Sequence, residues 1–198
     1  MMPFRQGSAA SPLLALAAFF WQPLLPAAFQ AGEKVANFQL KDTTGKDHSL
    51  SQYAGRLVVL EFWSFKCPVS LAYRERMQEL ETKFGPRGVV FLAIASNRNE
   101  TPAEVARNAE NLKMTYPVLL DTEGIVAEGM GATHAPSVFI LDRGGVLRYR
   151  GAIDNNRTPG QGGRVSYAED ALEALLAGRP IQAPQTREFG CTIRRSAY

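Results

Sequence analysis

Cysteine and histidine are scarce in this chain, with two of each among 198 residues. Their spacing fits no zinc pattern, so a structural zinc site is not expected. The haem-attachment pattern C-x-x-C-H is absent. So is any run of Lys or Arg: 22 basic residues against 19 acidic ones leave a formal charge of +3 spread along the chain. That excludes the basic stripe that follows nucleic-acid phosphates. No internal repeat is visible, and no apolar run reaches the ~20 residues that span a bilayer. What is present is 45% hydrophobic and 21% charged residues, with 17 Gly and 12 Pro. This is the composition of a globular domain, not of a disordered or fibrous chain. A body of this length buries roughly 70% of its unfolded surface, enough for one core. With so few cysteines, each needs a reason.

Residues 1–31 differ in composition from the rest. Arg5 gives a weakly positive start, and Pro12 to Phe29 (PLLALAAFFWQPLLPAAF) carries no charge, its apolar character broken by three prolines and Gln22. Small residues follow at Ala27, Ala28 and Ala31. The arrangement is that of a secretory signal, expected to be cleaved near 27–31. An uncleaved anchor or a buried N-terminal helix is the alternative, and membrane contact is expected only through this segment if it is retained. No cysteine follows the apolar run, so a lipid anchor is not expected. Export, to the periplasm or the exterior, would place both cysteines where disulfides form and persist.

Strands and helices then alternate. Asn37–Leu40 and Asp47–Leu50 flank the turn Thr43-Thr44-Gly45-Lys46, a leading hairpin. Leu57–Trp63 (LVVLEFW) and Val89–Ala95 (VVFLAIA) read as strands covered on both faces. Between them Val69, Tyr73, Met77, Leu80 and Phe84 recur at helical spacing until Gly85-Pro86. Thr101-Pro102-Ala103-Glu104 is a capping box opening a helix to about Leu112. Pro117–Leu120 is extended, Thr122–Met130 holds another helix, and Ser137–Leu141 with Val146–Arg150 forms a hairpin. Gly151–Gly163 is polar and Gly-rich, a surface loop. Ser166-Tyr167-Ala168-Glu169 reads as a second capping box, its helix ending at Gly178-Arg179-Pro180. The order predicts an α/β sandwich of one domain.

The chemistry is expected at Cys67-Pro68, where the first core strand meets its helix. A cysteine at a helix N-terminus faces unpaired N–H groups and the positive end of the dipole, which favour the thiolate. Lys66 adds positive charge beside it. Such a thiolate attacks disulfides or peroxides; the bland alternative is a buried structural cysteine.

The block Leu60-Glu61-Phe62-Trp63-Ser64-Phe65-Lys66-Cys67-Pro68 resembles the active-site stretch of the thioredoxin-like redoxins. Ala135-Pro136-Ser137-Val138-Phe139-Ile140-Leu141-Asp142 resembles the segment carrying that family's cis-proline. The similarity spans about Val35 to Ala177 and is greatest to secreted bacterial thiol–disulfide oxidoreductases. It implies a thioredoxin-like sandwich over residues 32–180, with a central mixed β-sheet flanked by helices. It makes Glu61 the buried acid and Pro136 the residue facing Cys67. Trp63, Lys66, Pro68, Ala135 and Pro136 would shape a groove for protein or small-molecule thiols and disulfides. No cofactor, metal or nucleic acid is implied.

Departures from the family matter too. Ser70 stands where the usual C-x-x-C motif has its second cysteine. Peroxiredoxins use one cysteine here, but their signature has Pro seven residues before it and Thr or Ser three before; this chain has Leu60 and Ser64. Thiol peroxidase is therefore the second reading, and a redox-inactive binding module on the same fold the third. Copper delivery would need clustered soft ligands that the chain lacks. Glu61 is read as a proton relay with a pKa raised by burial, or else as a strand-end carboxylate reaching solvent or Lys66. Ser70 is read as a hydrogen-bond donor to the thiolate, or as plain first-turn chemistry. His134 is given no role and His48 is read as surface.

The tail 181–198 carries Cys191, the only other cysteine. Because the resemblance leaves the usual resolving position vacant and export favours pairing, Cys191 is expected to be the displaced resolving partner of Cys67, within or between chains. From Gly178 the chain can extend roughly 40 Å at ~3.3 Å per residue, against a radius of gyration of about 15 Å. A permanent structural staple and an unpaired thiol on a mobile tail are the alternatives.

Overall fold

The computed structural model describes residues 29–156 and 165–195. Most of the expected signal segment and residues 157–163 of the Gly-rich loop lie outside the described residues. The leading hairpin is β1 (Gln39–Lys41) and β2 (Asp47–Ser49), paired antiparallel, after which Leu50 opens a 3-10 turn. The main sheet contains β3 (Val58–Phe62), β4 (Val90–Ala95), β5 (Val118–Leu120), β7 (Ser137–Leu141) and β8 (Leu147–Gly151), in the order β5-β4-β3-β7-β8. The first three run parallel, and β7 and β8 are antiparallel to their neighbours. Helices α1 (Pro68–Phe84), α2 (Pro102–Asn111), α3 (Ile125–Met130) and α4 (Tyr167–Leu176) cover the faces. A separate two-stranded pair is formed by β6 (His134–Ala135) with β9 (Cys191–Thr192).

Alternation along β3 explains the two cores. Val58, Leu60 and Phe62 face one side, with Ile94, Met130 and Phe139. Val59 and Trp63 face the other, with Tyr73, Met77 and Phe84 of α1, Val105 of α2 and Leu172 of α4. Period two puts Glu61 on this second face, beneath helices, with no exit to water. The buried stripe of α1 is Ser70, Tyr73, Met77, Leu80 and Phe84, so Ser70 takes the place expected for Val69, which is only partly buried. The Thr101–Glu104 capping box forms with both reciprocal bonds.

Three expectations are corrected. His48 is not on the surface: it is 3% exposed. The hairpin docks on the sheet through a bridge from Asp42 to Leu119 and the bond from the Thr43 amide to the Val118 carbonyl. The buried ring is satisfied by Asp42 at 2.8 Å and the Tyr53 hydroxyl at 2.5 Å. The start of the Gly-rich segment is not a surface loop either, since Ala152, Ile153 and Asp154 are buried and Asp154 takes a 2.5 Å hydrogen bond from Tyr73. Ser166 makes no side-chain capping bond to α4. The Ala168 amide donates instead to the Ile153 carbonyl, and Glu169 is engaged by Lys83 of α1 at 2.9 Å. The segment after α4 is fastened along its length from Pro184 to Arg195, so the alternative of a mobile tail does not hold.

Candidate functional site

Strand β3 ends at Phe62, and four residues turn the chain into α1 with Cys67 as its N-cap and Pro68 as its first residue. Proline suits that position because its missing N–H would have had no intrahelical partner. The loop is held from outside. Glu100, on the approach to α2, accepts from the Ser64 hydroxyl and, at 3.1 Å, from the Lys66 amide. The Cys67 amide in turn donates to the Ser64 carbonyl at 3.3 Å. Lys66 directs its ammonium to the Asn99 carbonyl and to Glu104 at 3.6 Å, so its charge is shared with a carboxylate rather than given to Cys67 alone.

Cys67 is 1% exposed, and its sulfur lies 3.1 Å from the Ala135 carbonyl oxygen. The Ala135–Pro136 bond is cis. Opposite Ala135 in the β6–β9 register is Cys191, disulfide-bonded to Cys67 with a Cα–Cα separation of 5.8 Å. Two segments 124 residues apart in sequence thus meet at one carbonyl. Cys67, Cys191, Ala135 and Pro136 come together as expected.

The other expected residues lie differently. Trp63 is 1% exposed and packs in the core beside Phe65, so it lines no open groove in this form. With Ala135 and Pro136 also buried, strand β9 occupies the side of the site where the groove was expected. Ser70 is fully buried, and its hydroxyl has no hydrogen-bond partner among the described residues, so the expected bond to the Cys67 sulfur is not made. Glu61 neither reaches solvent nor pairs with Lys66. It is 1% exposed and accepts a 2.6 Å bond from the Tyr116 hydroxyl. Burial raises its pKa to about 7, opposed by that bond. Its second oxygen has no partner among the described residues.

Sequence reasoning missed Glu100 and Glu188. An acid directly before an N-cap usually faces water, yet Glu100 is 6% exposed, and burial raises its pKa against the bonds from Ser64 and Lys66. Its only cue was adjacency to the Thr101 capping box. Glu188 lies in the tail, where no periodicity announced structure. His134 contributes to the site mainly through its backbone, in β6.

The AhpC/TSA family model matches residues 31–150, more than half of the chain. Among curated proteins, the thiol-disulfide oxidoreductase ResA of Geobacillus thermodenitrificans is 30% identical over 121 residues, which are 61% of this chain and 68% of that protein. Among solved structures, a hypothetical protein of Sinorhizobium meliloti superposes with a TM-score of 0.78 at 26% identity, over 87% of this chain and 98% of that one. The exposed lipoprotein thioredoxin of Streptococcus pneumoniae gives 0.55 at 26% identity, over 72% of this chain and 99% of that one. The fold is thioredoxin-like. The family match ends before Cys191, so the segment that supplies the second sulfur lies outside it.

Proposed function

The chain belongs to the AhpC/TSA family, and from that premise we propose that it is an extracytoplasmic thiol–disulfide oxidoreductase whose Cys67 and Cys191 act as one redox couple. The observation that carries the reading is the disulfide between these two residues at the Ala135 carbonyl, directly before the cis-proline. In the reduced protein the Cys67 thiolate, favoured by the N-terminus of α1, attacks one sulfur of a substrate disulfide and the other leaves as a thiolate. The Cys191 thiolate then attacks the Cys67 sulfur of the mixed disulfide, and the second substrate thiolate leaves. The substrate gains two electrons, and the chain ends as the Cys67–Cys191 disulfide. Run backwards, the same steps oxidise a dithiol. Glu61, buried in β3 with its pKa raised to about 7, is our candidate to take and return a proton.

Export is supported by the uncharged apolar segment Pro12–Phe29 and by the likeness to an exposed lipoprotein. The N-terminal segment is proposed as its signal, with membrane contact only where it is retained. Partners are protein or small-molecule thiols and disulfides. Peroxide reduction has less support: the Ser64 hydroxyl, the matching half of the peroxidase signature, is committed to Glu100.

Trapping tests the reading. Reduced C191S incubated with a disulfide-bonded protein such as insulin is expected to accumulate a mixed disulfide through Cys67, and C67S is expected to accumulate at least tenfold less, roughly. Equal trapping by both variants, or none by C191S, would overturn it.

A further inference from the structure

The segment that carries Cys191 is pinned on both sides of it. After it, the Ile193 side chain is 6% exposed in the core, and its amide donates to the Thr133 carbonyl at 2.9 Å. The Arg194 amide donates to Asn97 at 2.9 Å, and its carbonyl accepts from the Arg98 amide at 2.8 Å. Before it, the Arg150 amide donates to the Pro184 carbonyl and the Thr186 amide to the Arg150 carbonyl, both at 3.0 Å. Backbone bonds of this kind are available to any sequence. Glu188 is different, because its side chain joins the tail to Thr133, His134 and the Arg150 cation at once.

One oxygen of Glu188 accepts from the Thr133 amide at 3.0 Å, the Thr133 hydroxyl at 2.8 Å and the His134 amide at 3.1 Å. The other faces Arg150 at 3.5 Å. Both partners are tightly placed: Glu188 is 9% and Arg150 10% exposed at the side chain. Arg150 also donates to the Phe29 and Gly131 carbonyls at 2.9 Å each, and its guanidinium lies 5.0 Å from the Phe139 ring centre. It is a fixed cation, held by β8, the α3–β6 turn and the N-terminal segment. Thr133 and His134 directly precede Ala135, the residue opposite Cys191. Glu188 therefore ties the tail to the same short segment that carries the carbonyl against the Cys67 sulfur. Charge-assisted bonds of this sort are about twice as strong as neutral ones.

Resting on the reading of Cys67 and Cys191 as one couple, we propose that Glu188 is a positioning residue that sets Cys191 against Cys67 and thereby fixes the equilibrium of their disulfide. The physical basis is effective concentration. A sulfur held in place closes the disulfide with far less entropic loss than one on a free tail. By linkage, contacts that favour the docked tail favour the oxidised couple, and losing them makes the disulfide easier to reduce. In the reverse reaction one glutathione thiolate attacks one of the two sulfurs and the other leaves as a thiolate. A second glutathione then displaces the chain's sulfur, giving oxidised glutathione and two protein thiols.

The test is the full chain equilibrated in glutathione buffers of graded ratio, acid-quenched, alkylated and mapped for the Cys67–Cys191 peptide. E188A is expected to be about tenfold easier to reduce than the wild type, a shift of ~30 mV for this two-electron couple. E188Q keeps an acceptor oxygen for the Thr133 and His134 amides and is expected to shift less. A merely structural Glu188 would lower the melting temperature and leave the equilibrium constant alone. An E188A constant equal to the wild-type value overturns the proposal while leaving the couple intact. A wild type that never forms the linkage overturns both. Should E188A fail to fold, T133A removes one donor from the same oxygen and is expected to shift the constant about threefold; no shift there overturns the proposal equally.

Discussion

Glu61 shows how one buried side chain makes stability depend on pH. Its folded pKa of about 7 lies above the usual glutamate value of 4.5 because burial disfavours the charge. Between those values the folded state holds a proton that the unfolded state has released, so stability is full below pH 4.5 and falls as pH rises through 7. The loss is on the order of 3 kcal/mol. E61Q is expected to abolish this slope, measured as denaturant midpoints from pH 4.5 to 8, and to remove the limb near neutrality from the pH profile of disulfide exchange. Equal slopes in both proteins would place the titration elsewhere. Glu61 was legible because an acid in an otherwise apolar strand has few physical explanations. His48 was not, since its burial depends on Asp42 and Tyr53 arriving through the fold of the hairpin. Glu100 and Glu188 were unreadable for the same reason: each is defined by partners 34 to 55 residues away.

At the scale of elements, hydrophobic periodicity carried most of the reading. The apolar runs before Trp63 and Ala95 became β3 and β4, and the helical stripe from Tyr73 to Phe84 became the inner face of α1. Capping boxes were less dependable: Thr101 caps α2 with its own side chain, whereas tertiary contacts of Ala168 and Glu169 displace the box at α4. Strand β9 is two residues long and had no pattern to read. Its seating depends on Gly190, whose φ of 135° favours glycine and whose missing side chain leaves room for the Ala135 carbonyl. A Cβ there would collide with that carbonyl and lie 3.1 Å from Pro136. G190A is accordingly expected to slow closure of the Cys67–Cys191 disulfide roughly tenfold or more, since strain of this kind costs ~1–3 kcal/mol. Rapid mixing of the reduced protein with a small disulfide, followed by acid quench and mass analysis, measures it; closure at the wild-type rate would show that β9 does not seat through Gly190.

Across the whole molecule, the antiparallel pairing of β3 with β7 brings the end of β3 and the start of β7 together at one end of the sheet, where the β6–β9 pair adds the last described segment. The family match covers the first two of these and not the third. Ser70 occupies the ordinary resolving position with a buried, unreactive side chain, and the second sulfur comes from a strand laid against the cis-proline segment. In the chain-entropy view a closed loop of this length stabilises the oxidised fold by about 4–5 kcal/mol, so the redox state and the stability of the chain are coupled. In the oxidised form Cys67 is sealed from solvent.

That account stands or falls on whether two sulfurs work in sequence. The direct measurement is the number of aromatic thiolates released when reduced protein meets excess small aromatic disulfide, taken together with the mass of the final protein. The wild type is expected to release two aromatic thiolates per chain and finish as the Cys67–Cys191 disulfide. C191S is expected to release one and finish as a stable mixed disulfide on Cys67. A wild type that instead finishes with an aromatic group on each cysteine, and no linkage between them, would contradict the account.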